Sequence, residues 1–117
     1  MKYFTIDELT ASATAERFGI RNVPDAQQVS NLKRLGAEVL DKARERLGAP
    51  IYVNSGYRCR ELNQRVGGAR NSYHMQGRAA DLDTRVGLNR CLYDILATLP
   101  HTELLWEQGG RWIHVAL

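Results

Sequence analysis

The sequence predicts an α+β fold: helices in the first half, then a small antiparallel sheet packed with helices. Three observations carry this. Apolar residues recur at helical spacing through residues 26–47, and again at Leu88, Leu92, Ile95, Leu96 and Leu99. Short β-type stretches stand at 51–53, 79–83, 103–107 and 112–117. Gln108-Gly109-Gly110-Arg111 sits between the last two and reads as a hairpin turn.

Taken in order, Thr5 with Glu8 three residues on has the form of a capping box, so a short helix begins at Ile6. Ser12 caps a second turn or two that ends at Gly19. Asn22-Val23-Pro24-Asp25 is a turn opening the main helix, Ala26 to Leu47, whose stripe of Val29, Leu32, Leu35, Val39, Leu40, Ala43 and Leu47 is stopped by Gly48 and Pro50. Ile51-Tyr52-Val53 reads as a strand, and Arg60 to Val66 as two helical turns before Gly67-Gly68. Gly67 to Tyr73 is a polar loop. Ala79 to Asp83 alternates as a half-buried strand does.

A chain of 117 residues is read as one domain, residues 1–117. Hydrophobic content of 44% with 25% charged residues is ordinary for a globular protein. A net charge of +3 suits an anionic partner, but no basic run or basic-aromatic interleaving points to nucleic acid, so no nucleic-acid partner is expected. No stretch approaches a membrane span, and the N-terminus lacks an apolar signal segment. The expectation is a monomer made in the cytoplasm with no membrane partner. Cys59 and Cys91 have no Cys-x-x-Cys spacing and read as free thiols.

The residues that carry chemistry lie late in the chain. His74 and Asp81 flank Gly77, so a loop histidine can curl back onto a carboxylate on the next strand. Alternation puts Trp112, His114 and Ala116 on one sheet face, where His114 can lie across from the Asp81 strand. Two imidazoles and a carboxylate are the ligand types of a three-ligand catalytic zinc site. Each residue alone has a plainer reading, as a surface histidine, a strand-end Asp or a hydrogen-bonded core histidine. Glu107, across the hairpin from His114, is a candidate general base, with a solvated turn Glu as the alternative. Arg58 follows Ser55-Gly56 and could hold a substrate oxygen or simply form a surface ion pair. Ser72 could contact substrate or bond its own backbone. His101 reads as a loop residue, and Trp106 and Trp112 as core or cleft walls. There is no His-Glu-x-x-His, no Gly-x-Ser-x-Gly and no phosphate loop.

Ser55-Gly56-Tyr57-Arg58, Glu61-Leu62-Asn63, Val66-Gly67-Gly68-Ala69, Ser72-x-His74-x-x-Gly77-x-Ala79-x-Asp81 and Trp112-Ile113-His114-Val115 occur in this order. Together they resemble the zinc D-Ala-D-Ala carboxypeptidase family, most closely its small phage and prophage members, from about Phe4 to the C-terminus. That family includes vancomycin-resistance dipeptidases and phage endolysins, and shares a fold with the hedgehog signalling domain. The resemblance implies a hedgehog-like fold and one Zn2+ per chain, held by His74, Asp81 and His114. It implies Arg58 as the group polarising the scissile carbonyl and Ser72 as a substrate contact. Several relatives carry the catalytic carboxylate three residues before the last histidine, where this chain has Arg111. Others place a Glu on the preceding strand, which Glu107 matches. Some have a histidine where this chain has Trp112, which is read here as a substrate-binding wall.

The expected function is a zinc-dependent hydrolase of peptidoglycan stem peptides, a D,D-carboxypeptidase or an endolysin-type endopeptidase, with the cell wall reached by a holin-type release. The competing reading is a non-catalytic, zinc-stabilised wall-binding or virion module, since fold alone proves no chemistry.

Overall fold

Local signals in the first half are met almost residue for residue in the computed structural model, which describes Met1–Leu117. Helix α1 (Ile6–Thr10) is capped by Thr5, and α2 (Ala13–Phe18) by Ser12 with Gly19 at its end. Helix α3 (Ala26–Leu35) opens on a capping box in which Asp25 and Gln28 satisfy each other's backbone N–H groups, both at 2.8 Å. The main helix is not uniform, however. A π-helical stretch, Gly36–Leu40, joins α3 to α4 (Asp41–Leu47). Positions four apart overshoot a full α-helical turn by about 40°. The wider π turn takes back that overshoot, and Leu32, Leu35, Val39, Leu40 and Ala43 are all fully buried.

The sheet contains β1 (Tyr52–Ser55), β2 (Ala79–Asp83), β3 (Glu103–Glu107) and β4 (Trp112–Ala116), all antiparallel, in the order β1-β2-β4-β3. Helix α5 (Arg60–Arg65) and a 3-10 turn (Tyr73–Gln76) lie between β1 and β2, and α6 (Asn89–Ala97) between β2 and β3. The two sheet faces have different jobs. Ala80, Leu82, Ile113 and Val115 point to the helices and join Leu32, Leu35, Leu92 and Leu96 in the main core. Trp106 lies at the outer edge of that face. It is 42% exposed and stands edge-on to Tyr93 of α6, with ring centroids 5.6 Å apart. It is therefore neither core nor cleft wall, because β3 is an edge strand that α6 covers only in part.

The other face carries the polar residues. Ser55, Asp81, His114 and Leu105 are successive cross-strand partners, one row running through β1, β2, β4 and β3. An irregularity between Val53 and Ser55 brings Ser55 into register with Asp81.

Gly77 closes the 3-10 turn at φ +71, and a Cβ there would stand 2.5 Å from the Gln28 carbonyl oxygen. Helix α3 grips this turn, Gln28 Nε2 donating to Met75 O (3.0 Å) and Asn31 Nδ2 to Gln76 O (2.8 Å). Gly77→Ala combines a left-handed backbone with that close approach, so it is expected to cost about 2 kcal/mol or more. Urea unfolding checks this, and an unchanged midpoint would contradict it.

Candidate metal centre

His74 is buried, and its ring is set by the segment that follows β1. The Gly56 carbonyl lies 2.7 Å from Nδ1. A carbonyl only accepts, so Nδ1 carries the proton and the Nε2 lone pair is left facing Asp81 Oδ1 at 3.2 Å. His114 is fixed in the mirror sense. Glu103 Oε1 lies 2.8 Å from its Nε2, which leaves Nδ1 facing the same Asp81 Oδ1 at 2.9 Å. With neutral imidazoles, two nitrogen lone pairs and a carboxylate oxygen converge on one point. Only positive charge relieves that arrangement, whether two protons or one cation. The ligand atoms of His74, Asp81 and His114 lie within 4.8 Å of one another, a spacing that a single metal ion can span. Both histidines also have the partner on the second ring nitrogen that metal-ligating imidazoles ordinarily have.

The electrostatics of the chain agree. Burial alone would raise the Asp81 pKa, but hydrogen bonds from His114 and His74, and their charges, hold it well below the usual carboxylate range. Burial alone would lower His114, yet its bonds to Asp81 and Glu103 outweigh that and raise it above an ordinary histidine. A metal ion bound through His114 Nδ1 would have to displace a proton held more firmly than usual. Apparent metal affinity is expected to be full above the raised His114 pKa and to fall as pH drops through it, by about tenfold per pH unit. Chelator competition between about pH 8 and about pH 5.5 reads this; a flat affinity over that range would contradict it.

Arg58 stands beside the cluster. Its Nε donates to Ser55 Oγ (3.1 Å) and Nη1 to Asn63 Oδ1 (3.0 Å), which leaves Nη2 at 3.8 Å from Asp81 Oδ2. Burial lowers its pKa and the Asp81 charge opposes that; a guanidinium stays charged at neutral pH regardless. The backbone here is pinned by Asn22, whose side chain donates to Thr10 O and Tyr57 O and accepts from Cys59 N.

A cleft of about 620 Å³ opens over the row, lined by Arg58, Ser72, His74, Asp81, Glu107, Trp112 and His114 together with Glu103 and Leu105. All seven residues singled out from the sequence thus face one space. Glu107 is directly opposite Trp112 rather than His114, which is opposite Leu105. The Ser72 hydroxyl accepts from His74 N at 3.1 Å, so it caps the turn that carries His74. His101 bonds the Leu99 carbonyl, away from the cluster. Both cysteines are free thiols; Cys59 Sγ caps α5 by accepting from Leu62 N.

The family model described as Peptidase M15 matches residues 2–116. The chain belongs to the peptidase M15 family. The zinc D-Ala-D-Ala carboxypeptidase of Streptomyces albus G is 61% identical to this chain over 33 residues, a stretch that covers 28% of this chain and 13% of that protein. The α+β architecture of this M15 chain is the one expected from its sequence.

Sequence reasoning missed Glu103, Asn63 and Asn22. Alternation along β3 puts Glu103 on the face of Glu107, a signal that was present, whereas the two asparagines act through partners distant in sequence. Glu103→Ala is expected to weaken zinc binding about 10- to 100-fold, as loss of a partner that orients a ligand does. Glu103→Gln keeps an acceptor and should lose less. Equal affinities for both variants and wild type, by calorimetry, would rule this role out.

Proposed function

We propose that residues 1–117 form one zinc-peptidase domain that hydrolyses a peptide bond in peptidoglycan stem peptides. The observation that carries this reading is the convergence of three acceptor atoms, from His74, Asp81 and His114, in a cleft that also holds Glu107 and Arg58. In this reading those three residues hold the zinc. When bound, zinc supplies Lewis acidity, which activates water and polarises a carbonyl. The similarity to a protein whose name includes both zinc and D-Ala-D-Ala supports the choice of metal and substrate.

Glu107 accepts a proton from the attacking water as its oxygen bonds to the carbonyl carbon. The same carboxyl then delivers that proton to the amine nitrogen as the C–N bond breaks, so the base ends as it began. Arg58 donates from Nη2 to the oxygen on which negative charge grows, held in position by Ser55 and Asn63. Trp112 and Ser72 line the space for the peptide. No helix is long and apolar enough to cross a membrane, and reaching wall peptides by a phage-type release is part of the proposal. The one-zinc monomer belongs to it as well.

Digestion of purified stem peptides by zinc-loaded protein, read by mass, tests this. Loss of one terminal D-alanine identifies an exopeptidase, and two larger fragments an endopeptidase. Intact peptides after incubation with protein carrying one zinc per chain would end the peptidase reading and favour a wall-binding module.

A further inference from the structure

Behind the Gly67–Ser72 loop lies a second cavity, about 790 Å³, that the chemistry above does not use. Its lining differs sharply from that of the metal cleft. The cleft holds Asp81, Glu103 and Glu107, whereas the second cavity holds Arg60 and Arg70 and no carboxylate. Neither arginine forms a salt bridge. The amide side chains of Gln64 and Asn71 stand with them, so the wall offers donors in excess of charge-matched acceptors.

The two cavities are neighbours. Gly68 and Asn71 line both, so the loop is a low ridge between them. The ridge is braced from below by buried Asn63, which accepts from Arg58 Nη1 and donates from Nδ2 to Ala69 O at 2.9 Å. A peptide lying in the cleft and crossing the ridge meets two uncommitted guanidinium groups. Guanidinium groups beside amides are the chemistry that recognises a carboxylate.

We infer that this second cavity is an anionic subsite in which Arg60 and Arg70 bind an internal carboxylate of the peptide substrate. The inference rests on the peptidase reading and adds to it a preference among substrates. The subsite touches the substrate away from the reacting atoms, so it acts on binding more than on the chemical step.

The test uses a lysine-containing stem pentapeptide whose internal carboxylate, on the γ-linked glutamyl residue, is either free or amidated. Zinc-loaded wild type is expected to show a KM about tenfold lower for the free acid, the size of one charge-assisted hydrogen bond, with similar kcat. Arg60→Gln/Arg70→Gln should raise KM for the acid to that of the amide and leave kcat and zinc content unchanged. Equal KM values for acid and amide with wild type, or a preference that survives in the double variant, overturns the subsite. If wild type cuts neither peptide, calorimetry with the same pair decides independently. Tighter binding of the acid that is lost in the double variant upholds the subsite even though the peptidase reading has failed; equal binding removes it.

Discussion

Glu107→Gln is expected to retain one zinc per chain and to lose turnover by ~100- to 10,000-fold, the usual share of a general acid–base group. The substitution preserves size and leaves a hydrogen-bonding amide at the mouth of the cleft, but an amide cannot take a proton from water. Glu107 is neither part of the His74–Asp81–His114 cluster nor bonded to it, so zinc affinity should move little. KM should also change little if the residue acts mainly on the chemical step. Steady-state kinetics on a stem peptide, with metal content measured on the same samples, decides the matter. Turnover within a few-fold of wild type would remove Glu107 from the mechanism and turn attention to other groups of the cleft.

The second large effect is on Asp81. Its Oδ1 meets both imidazoles, and its charge faces Arg58 as well. Asp81→Ala removes one of the three proposed ligands and leaves two histidine nitrogens aimed at a gap. Zinc affinity is expected to fall ~1,000-fold or more, because two imidazoles alone do not complete a zinc site of this kind. Asp81→Asn separates charge from shape, since it fills the same space with a neutral and weaker ligand. It should fall between alanine and wild type. Chelator competition on the three proteins ranks them, and an Asp81→Ala protein that binds zinc as tightly as wild type would place the metal elsewhere.

Much of this was legible in the chain, and the reasons are physical. Caps are local, so Thr5, Ser12 and Asp25 announce their helices from a few neighbouring residues. Period-two alternation announced that Trp112, His114 and Ala116 share a face, and the register of β2 against β4 brings Asp81 opposite His114. Gly77 signalled the reversal that returns His74 to that strand. Other features depend on contacts that spacing does not encode. The π stretch is invisible because residues four apart serve both helix types. Glu103 is set against His114 diagonally across two strands, and Asn22 reaches Tyr57 and Cys59 from 35 and 37 positions away. Trp106 was misjudged because burial at a sheet edge depends on how far α6 extends over it.

The proposed mechanism depends first on His74, Asp81 and His114 forming the metal site. The measurement that tests it most directly is an anomalous difference map recorded at the zinc edge from crystals of the zinc-loaded protein. One strong peak per chain is expected, ~2.0–2.2 Å from His74 Nε2, an Asp81 carboxylate oxygen and His114 Nδ1, with Glu103 still on His114 Nε2. A peak at any other group of residues, or coordination of His114 through Nε2 with Glu103 displaced, would contradict it.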